Sequence, residues 1–528
     1  MEQKQNKAGK HRRVLHPFLF AVFPILSLFS AHVDHVSLSE VYMPFAAMLC
    51  MACGLWLLLW PLLPQRHKRG LAISAMLAPF FAYGPVVDHI RTGIGHPLIV
   101  GDLALGAGIL CVLVVAAGAI FSLRRSRRSF ENATVFLNMV AASSVLVALG
   151  TLGFTAWHPA PISHHKESVQ PAHSPQPTKG DLPDIYYILL DAYAREDILR
   201  SIFDYDNSPF ISFLKDRGFY IADRSNSNYL WTLFSLSSSL NLDYLTAEAP
   251  PNESRREFEL RVQERFRRNK VLELLKQRGY TCISFTSGYS AADGMEVDVT
   301  LEPGLVLGEF QNLLINLTPL RTVLGRMEYL SQYAMHRKRI LYTLDQLPKL
   351  RRYGKPLFVF AHVTIPHPPF VLDENGNPVH SQPPIMLADG PQFFASGAST
   401  EEYIAGYTKQ MTYLNARMRA IIDDIIRNSP DAIMLVQGDH GSRLRLTNKL
   451  ETTDVREAAG ILNAYRLPGR NMQELLYDQI SPVNSFRVVL NAYLGTDYTI
   501  LKDRTYSGKG TGQGSGGWRL VEITDMLK

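Results

Sequence analysis

The sequence predicts an N-terminal five-helix transmembrane bundle followed by an α/β domain with a largely parallel central sheet, and three observations predict it. Up to Trp157 the chain is dominated by apolar runs, each near the ~20 residues that cross a bilayer. A polar, proline-rich stretch follows. Beyond Asp181, strand-like and amphipathic helical segments alternate as in a soluble α/β domain. The boundaries read as 1–157 for the membrane part, 158–183 for a Pro/His-rich linker and 184–528 for the second domain.

The five runs cover 14–32, 41–63, 71–87, 103–123 and 133–157. The first has the basic front and apolar centre of a signal peptide, but further spans follow it, so it reads as a retained anchor. Lys4, Lys7, Lys10, Arg12 and Arg13 precede the first run, Arg66, Lys68 and Arg69 follow the second, and Arg124, Arg125, Arg127 and Arg128 follow the fourth. Positive charge marks the cytoplasmic side, so only an odd number of crossings fits: N-terminus inside, everything after Trp157 outside. Asp34, His35, Asp88, His89 and Asp102 fall near the outer ends and read as solvated residues, with a lipid head group as the alternative partner. The basic clusters account for much of the net charge of +6, which therefore argues topology and not a nucleic-acid partner. Cys50, Cys53 and Cys111 lie in apolar runs and leave Cys282 alone in the second domain, so that domain has no disulfide framework and no cysteine metal site.

From His158 onward, Pro159, Pro161, Pro171, Pro175 and Pro177 among polar residues are linker composition, and the histidines there read as part of a spacer. The second domain shows strand-like segments at 185–190, 219–222, 282–286, 357–361 and 433–436, with helical patterns at 256–278 and 401–427. Phe258, Val262 and Phe266 recur every four residues and mark a buried stripe.

Ligands of open α/β sheets collect at the carboxyl ends of strands. The run Asp184-Ile-Tyr-Tyr-Ile-Leu-Leu ends in Asp191, and Ile433-Met-Leu-Val-Gln-Gly ends in Asp439-His440-Gly441. Two carboxylates and an imidazole at one sheet edge suit one divalent ion, Zn or Mn. Asp191 alone reads equally as a helix N-cap. In Asn228-Tyr-Leu-Trp-Thr232, the threonine stands just ahead of a short serine-rich helical stretch, whose N-terminus favours negative charge. A threonine hydroxyl is a weak nucleophile near neutral pH and needs a base or a metal. The segment Phe358-Val-Phe-Ala-His362-Val-Thr-Ile-Pro-His367 brings two histidines to the same edge, where His367 would bind phosphoryl oxygens or protonate a leaving group unless it is merely structural in its proline turn. Trp231 as a stacking surface, and Asn228 and Arg443 as phosphate partners, complete the candidates, with packing or surface roles as their alternatives. The glycines from Gly508 to Gly517 read as a flexible tail, since no strand-to-helix phosphate loop surrounds them.

Together these four segments resemble the alkaline phosphatase and sulfatase superfamily, in its branch of lipoteichoic acid synthases, phosphoglycerol transferases and phosphoethanolamine transferases. The resemblance implies five membrane helices, an alkaline-phosphatase-like (sulfatase-like) domain outside the cytoplasm, a metal held by Asp191, Thr232, Asp439 and His440, and substrate-binding His367. It also implies that Thr232 attacks a membrane phospholipid head-group phosphate, releases diacylglycerol and passes the phospho-group to an envelope glycan or lipid, with the chain multi-pass in a bacterial inner membrane. Two departures stand out. Asp191 occupies a position where several of these transferases have glutamate, and no Cys/Ser-x-Pro-x-Arg arrangement follows Thr232, which argues against sulfate-ester hydrolysis. A phosphatase or phosphodiesterase with the same nucleophile, and a degenerate scaffold without chemistry, are the competing readings.

Overall fold

In the computed structural model the described residues are 13–32, 38–94, 97–157, 182–245, 255–289, 291–304, 309–326, 331–379, 390–395, 397–447, 449–510 and 518–527. The linker reading over 158–181, and Asp34 and His35, lie outside them. The chain divides into two compact units: Met1–Pro161 with Leu307–Ser331, and Ile162–Val306 with Gln332–Lys528.

In the first unit all five apolar runs are helical, over His16–His32, Leu38–Leu58, Arg66–Ile94, Pro97–Arg125 and Glu131–Trp157. A helix satisfies its backbone polar groups internally, which hydrocarbon requires. Among the described residues three segments are long and apolar enough to cross a membrane: Glu40–Leu58, Arg66–Val87 and Glu131–Gly153. The helix His16–Ala31 is shorter, so length and composition support three spans where the sequence reading counts five. Leu57, Leu58, Trp60, Phe136, Leu146 and Val147 point their apolar side chains outward from this unit, a surface suited to lipid and costly in water.

The return of Leu307–Ser331 to this unit is invisible to composition. Phe310 and Leu314 of the helix Glu309–Asn316 are buried against Ile25, Phe29 and Val41. Gly84 makes the approach possible: its N–H donates to the Leu317 carbonyl (3.0 Å), and a Cβ there would fall 2.0 Å from the Asn316 carbonyl oxygen.

The second unit is built on a seven-stranded sheet. Its strands are β1 (Ile185–Leu190), β2 (Tyr220–Ile221), β3 (Thr281–Phe285), β4 (Val299–Leu301), β5 (Leu357–Val363), β6 (Ile433–Gly438) and β7 (Asn463–Arg466). The spatial order is β2-β7-β6-β1-β5-β3-β4, parallel except that β7 runs antiparallel to both its neighbours. β1, β5 and β6 are buried along their whole length, which is why they read as continuous apolar runs without alternation. Alternate side chains still serve opposite faces: Tyr186, Ile188 and Leu190 join one core, and Ile185, Tyr187 and Leu189 the other.

The helical pattern at 256–278 is two helices, Arg255–Arg267 and Lys270–Gln277. Asn269 starts the second by accepting the Leu272 N–H at 2.9 Å, a side-chain competition that ends the first helix. Gly508 and Gly510, read from sequence as tail, instead lie in β8 (Tyr506–Gly510), which pairs antiparallel with β9 (Trp518–Glu522). Gly512 to Gly517 fall outside the described residues.

Candidate active site

Sheet order decides what meets what. β1 is flanked by β6 and β5, with Leu190 opposite both Gly438 and Val363. The residues following three adjacent parallel strands therefore emerge side by side: Asp191, Asp439-His440, and His362 with the loop to His367. Main-chain bonds lock the first and third together, since Asp191 N–H donates to Val363 O at 2.9 Å and His367 N–H to Asp191 O at 3.1 Å.

Asp191 is not a helix cap. The next helix starts at Glu196 with Arg195 at its N-cap. Ala192 instead takes a left-handed conformation (φ 61°), which costs an L-residue about 1–2 kcal/mol, and its N–H donates to Asp439 Oδ1 at 3.1 Å. Tyr407, on the long helix Thr400–Asn428, holds this turn by donating to Ala192 O at 2.7 Å. The same helix supplies Gln410, whose Oε1 accepts from Val371 N–H at 2.8 Å and steadies the loop after His367.

Thr232 is the first residue of the helix Thr232–Asn241. Its Oγ1 lies 3.2 Å from His440 Nε2. That nitrogen is also 3.5 Å from Asp191 Oδ1 and 3.3 Å from Asp439 Oδ2. Ligands around a tetrahedral zinc with bonds of about 2.0–2.2 Å stand roughly 3.3–3.6 Å apart, so these separations fit one shared cation. Two further observations support the fit. Asp191 Oδ1 and Asp439 Oδ2 are buried and have no hydrogen-bond partner, a costly state that a cation relieves. His440 Nδ1 faces the Gly441 carbonyl at 2.9 Å; a carbonyl only accepts, so the ring proton sits there and Nε2 keeps its lone pair. The Arg443 Nε–H, 3.3 Å from the same Nδ1, is the weaker approach of the two and does not change that assignment.

His362 and His367 divide the remaining work. His362 Nε2 is 3.1 Å from Asp191 Oδ2, so it orients the carboxylate from behind. His367 donates its Nδ1 proton to Pro368 O and packs edge-on against His440, with ring centroids 5.9 Å apart. Asp191 with His367 and His440, and Asp191 with His362 and Asp439, each gather ligand atoms within 4.8 Å of one another. Burial pushes the Asp191 carboxyl up, but His367, the His362 hydrogen bond and His440 outweigh it and hold the pKa below the ordinary carboxylate value. Burial lowers His362 while Asp191 raises it, and the net is upward; for His440, burial and then Arg443 prevail and the net is downward.

The weaker candidates have partners of their own, and Arg443 alone of them also touches His440. Asn228 is fully buried, with Nδ2 donating to Ser481 Oγ (2.8 Å) and Arg504 O (2.9 Å), and Oδ1 accepting from Val483 N–H (2.7 Å). It ties the loop before Thr232 to the C-terminal segment. Trp231 packs edge-on against Phe234 with Arg255 over its ring. Arg443 Nη2 donates to Leu230 O at 2.7 Å and so braces the approach to Thr232.

One residue that sequence gave no reason to select is Glu457. Buried at 1% exposure, it accepts from Ser442 Oγ (2.7 Å), Leu444 N–H (2.8 Å) and Arg445 N–H (2.8 Å), and so holds the loop that carries Asp439 and His440. Burial pushes its pKa from 4.5 up to about 7 against those hydrogen bonds. The folded state thus binds a proton that the unfolded chain releases above pH 4.5. The resulting stabilisation, about 3 kcal/mol, is fully present below pH 4.5 and lost as pH rises through 7. Melting of the full chain in detergent across that window should show a downward slope that Glu457→Gln flattens; parallel curves would remove Glu457 from the account.

No family model and no curated protein matches the chain. Among solved structures it is similar to the C-terminal periplasmic domain of EcEptC from Escherichia coli in complex with Zn, at 12% identity over 66% of this chain and 94% of that chain, TM-score 0.42. It is also similar to the integral membrane protein lipooligosaccharide phosphoethanolamine transferase A (EptA) from Neisseria meningitidis, at 12% identity over 90% and 95%, TM-score 0.38. A third likeness is to the lipoteichoic acid synthase LtaP from Listeria monocytogenes, at 11% identity over 59% and 71%, TM-score 0.36. At identities of 11–12% and TM-scores of 0.36–0.42, these likenesses lend no weight to a function, which rests on the site itself.

Proposed function

We propose that this chain is a metal-dependent phosphotransferase of the alkaline phosphatase and sulfatase superfamily, moving a phosphoglycerol or phosphoethanolamine head group from membrane phospholipid to an envelope glycan or lipid. The observation that carries the reading is the Thr232 hydroxyl 3.2 Å from His440 Nε2, inside a buried cluster with two orphaned carboxylate oxygens.

Asp191, Asp439, His440 and Thr232 would hold one divalent ion, zinc or manganese, which when bound lowers the proton affinity of the threonine hydroxyl. The Thr232 hydroxyl gives up its proton to solvent as its oxygen attacks phosphorus, the bond from phosphorus to the diacylglycerol oxygen breaks, and His367 supplies a proton to that oxygen. The acceptor hydroxyl then returns a proton to His367 as it attacks the phosphothreonine, the bond from phosphorus to the Thr232 oxygen breaks, and Thr232 takes a proton back from solvent. The serine-rich helix beginning at Thr232 contributes its positive end to the phosphoryl charge. On this reading the chain crosses a bacterial plasma membrane with its N-terminus cytoplasmic and residues 184–528 outside, the segments Glu40–Leu58, Arg66–Val87 and Glu131–Gly153 being long and apolar enough to span it, and the anchoring gives a lipid donor its access.

Incubating the purified full chain with head-group-labelled phosphatidylglycerol or phosphatidylethanolamine tests this. Diacylglycerol formed together with label on an added glycan or lipid acceptor is the expected result. Label appearing only as free head-group phosphate would make the chain a hydrolase, and no diacylglycerol at all from metal-loaded protein would refute both.

A further inference from the structure

The helix Gln332–Gln346 packs beside β5, and its inward stripe runs Ile340, Thr343 and Leu344, all buried. His336 occupies the next inward position of that stripe, four residues before Ile340, where helical periodicity calls for an apolar side chain. It is 9% exposed, and its Nε2 is buried with no hydrogen-bond partner among the described residues. Leaving such an atom unpaired is unfavourable, and a bound oxygen atom removes that cost.

Arg339, His367 and Asp191 are the charged groups that act on His336, which puts it within electrostatic range of the cluster already described. Arg339 stands three residues along the same helix, on the same face. It lies across Gly288, where a Cβ would fall 2.8 Å from its Nη1 and 3.0 Å from its Cζ. Gly288 belongs to the turn that leaves the carboxyl end of β3, and β3 is the neighbour of β5 in the sheet. The turn is fixed by Asp293, which accepts from Ser287 N–H (2.8 Å) and Gly288 N–H (2.9 Å). Arg339 thus sets a cation against the end of a fourth strand, next in sheet order to the strands that carry Asp439, Asp191 and His367, and His336 lies one turn before it on the same helix.

We propose that His336 and Arg339 form a second grip on the substrate, independent of the metal, that takes the non-bridging oxygens of its phosphoryl group. The inference rests on the phosphotransferase reading for the identity of the substrate, but not for the binding itself. Burial first, then Arg339 and His367, push the His336 pKa down to about 3, so the ring is neutral and offers one N–H to an acceptor oxygen. Arg339 adds charge-assisted hydrogen bonds of the kind phosphate favours.

The test uses the full chain in detergent, loaded with zinc and checked for metal content. Inorganic phosphate is titrated by calorimetry into the wild type, His336→Leu, His336→Gln and Arg339→Gln. The expected result is phosphate binding weakened about tenfold in His336→Leu and in Arg339→Gln, partly restored in His336→Gln, with metal content unchanged. Dispersed phosphatidylglycerol should show the same rise in KM, because lipid and free phosphate share the group being recognised. Wild-type phosphate affinity in metal-replete His336→Leu overturns the proposal, as does a KM change for lipid without a change for phosphate. If His336→Leu does not fold, unchanged phosphate affinity in Arg339→Gln overturns it alone. A wild type that binds no metal but still binds phosphate through His336 would refute the phosphotransferase reading and leave this grip standing.

Discussion

Thr232→Ala is expected to cut head-group release by about four orders of magnitude or more, while the protein keeps its metal. The hydroxyl is the atom that forms the bond to phosphorus, and no neighbour replaces it: Ser235, Ser237, Ser238 and Ser239 are buried farther along the same helix, and the last three hydroxyls are committed, to Val262 O, Asp243 O and Pro482 O. Asp191, Asp439 and His440 remain in the variant, so its metal content should match the wild type. Thr232→Ser keeps the oxygen at the start of the helix and should retain part of the rate. Acid-quenched wild type incubated with lipid donor should carry a phospho-group on the peptide containing Thr232, and the alanine variant should carry none. Normal release by Thr232→Ala would end the covalent account.

Much of this arrangement could be read from the chain because the sheet is parallel and buried. β1, β5 and β6 have no solvent face, so each appears as a mainly apolar run, and the polar residues at or just past the end of the run mark the carboxyl end of the strand. That signal selects Asp191, Asp439-His440 and His362, and the structure brings those side chains together. Gly441 belongs to the same signal, since a Cβ there would fall 2.0 Å from the Glu457 carbonyl oxygen. What sequence could not show depends on contacts distant along the chain. Asn228 looks like a phosphate partner until its amide is found shared between Ser481, Val483 and Arg504. Glu457 stands in a short helix with nothing local to mark it, because its role comes from three donors 12–15 residues earlier. The Leu307–Ser331 segment carries no membrane-length apolar run, only Phe310 and Leu314 on one side of a short helix. His336 was legible in principle: periodicity makes it the one titratable side chain on the stripe that continues through Ile340, Thr343 and Leu344.

Removing the metal is the second large effect, and it separates a catalytic cluster from a structural one. The protein as folded buries Asp191 and Asp439 at 3% and 1% exposure, each with an oxygen that has no protein partner. Without a cation, two carboxylates share a site of low dielectric with only the neighbouring histidines His362, His367 and His440 to balance their charge. Chelation should therefore abolish turnover and lower the melting temperature, while readdition of zinc or manganese reverses both. At an ion concentration about a thousandfold above Kd, the stabilisation lost is about 4 kcal/mol. The sign with pH follows from the ligands: His440 must be unprotonated to bind, so affinity weakens as pH falls. Asp439→Asn should mimic chelation and resist rescue, because the amide cannot replace the charge. His362→Gln should cost far less, since it supports Asp191 through one hydrogen bond and the ion keeps its other ligands. A chelated protein with wild-type turnover and an unchanged melting temperature would mean that the buried carboxylates are balanced in some other way, and the phosphotransferase mechanism would fall with it.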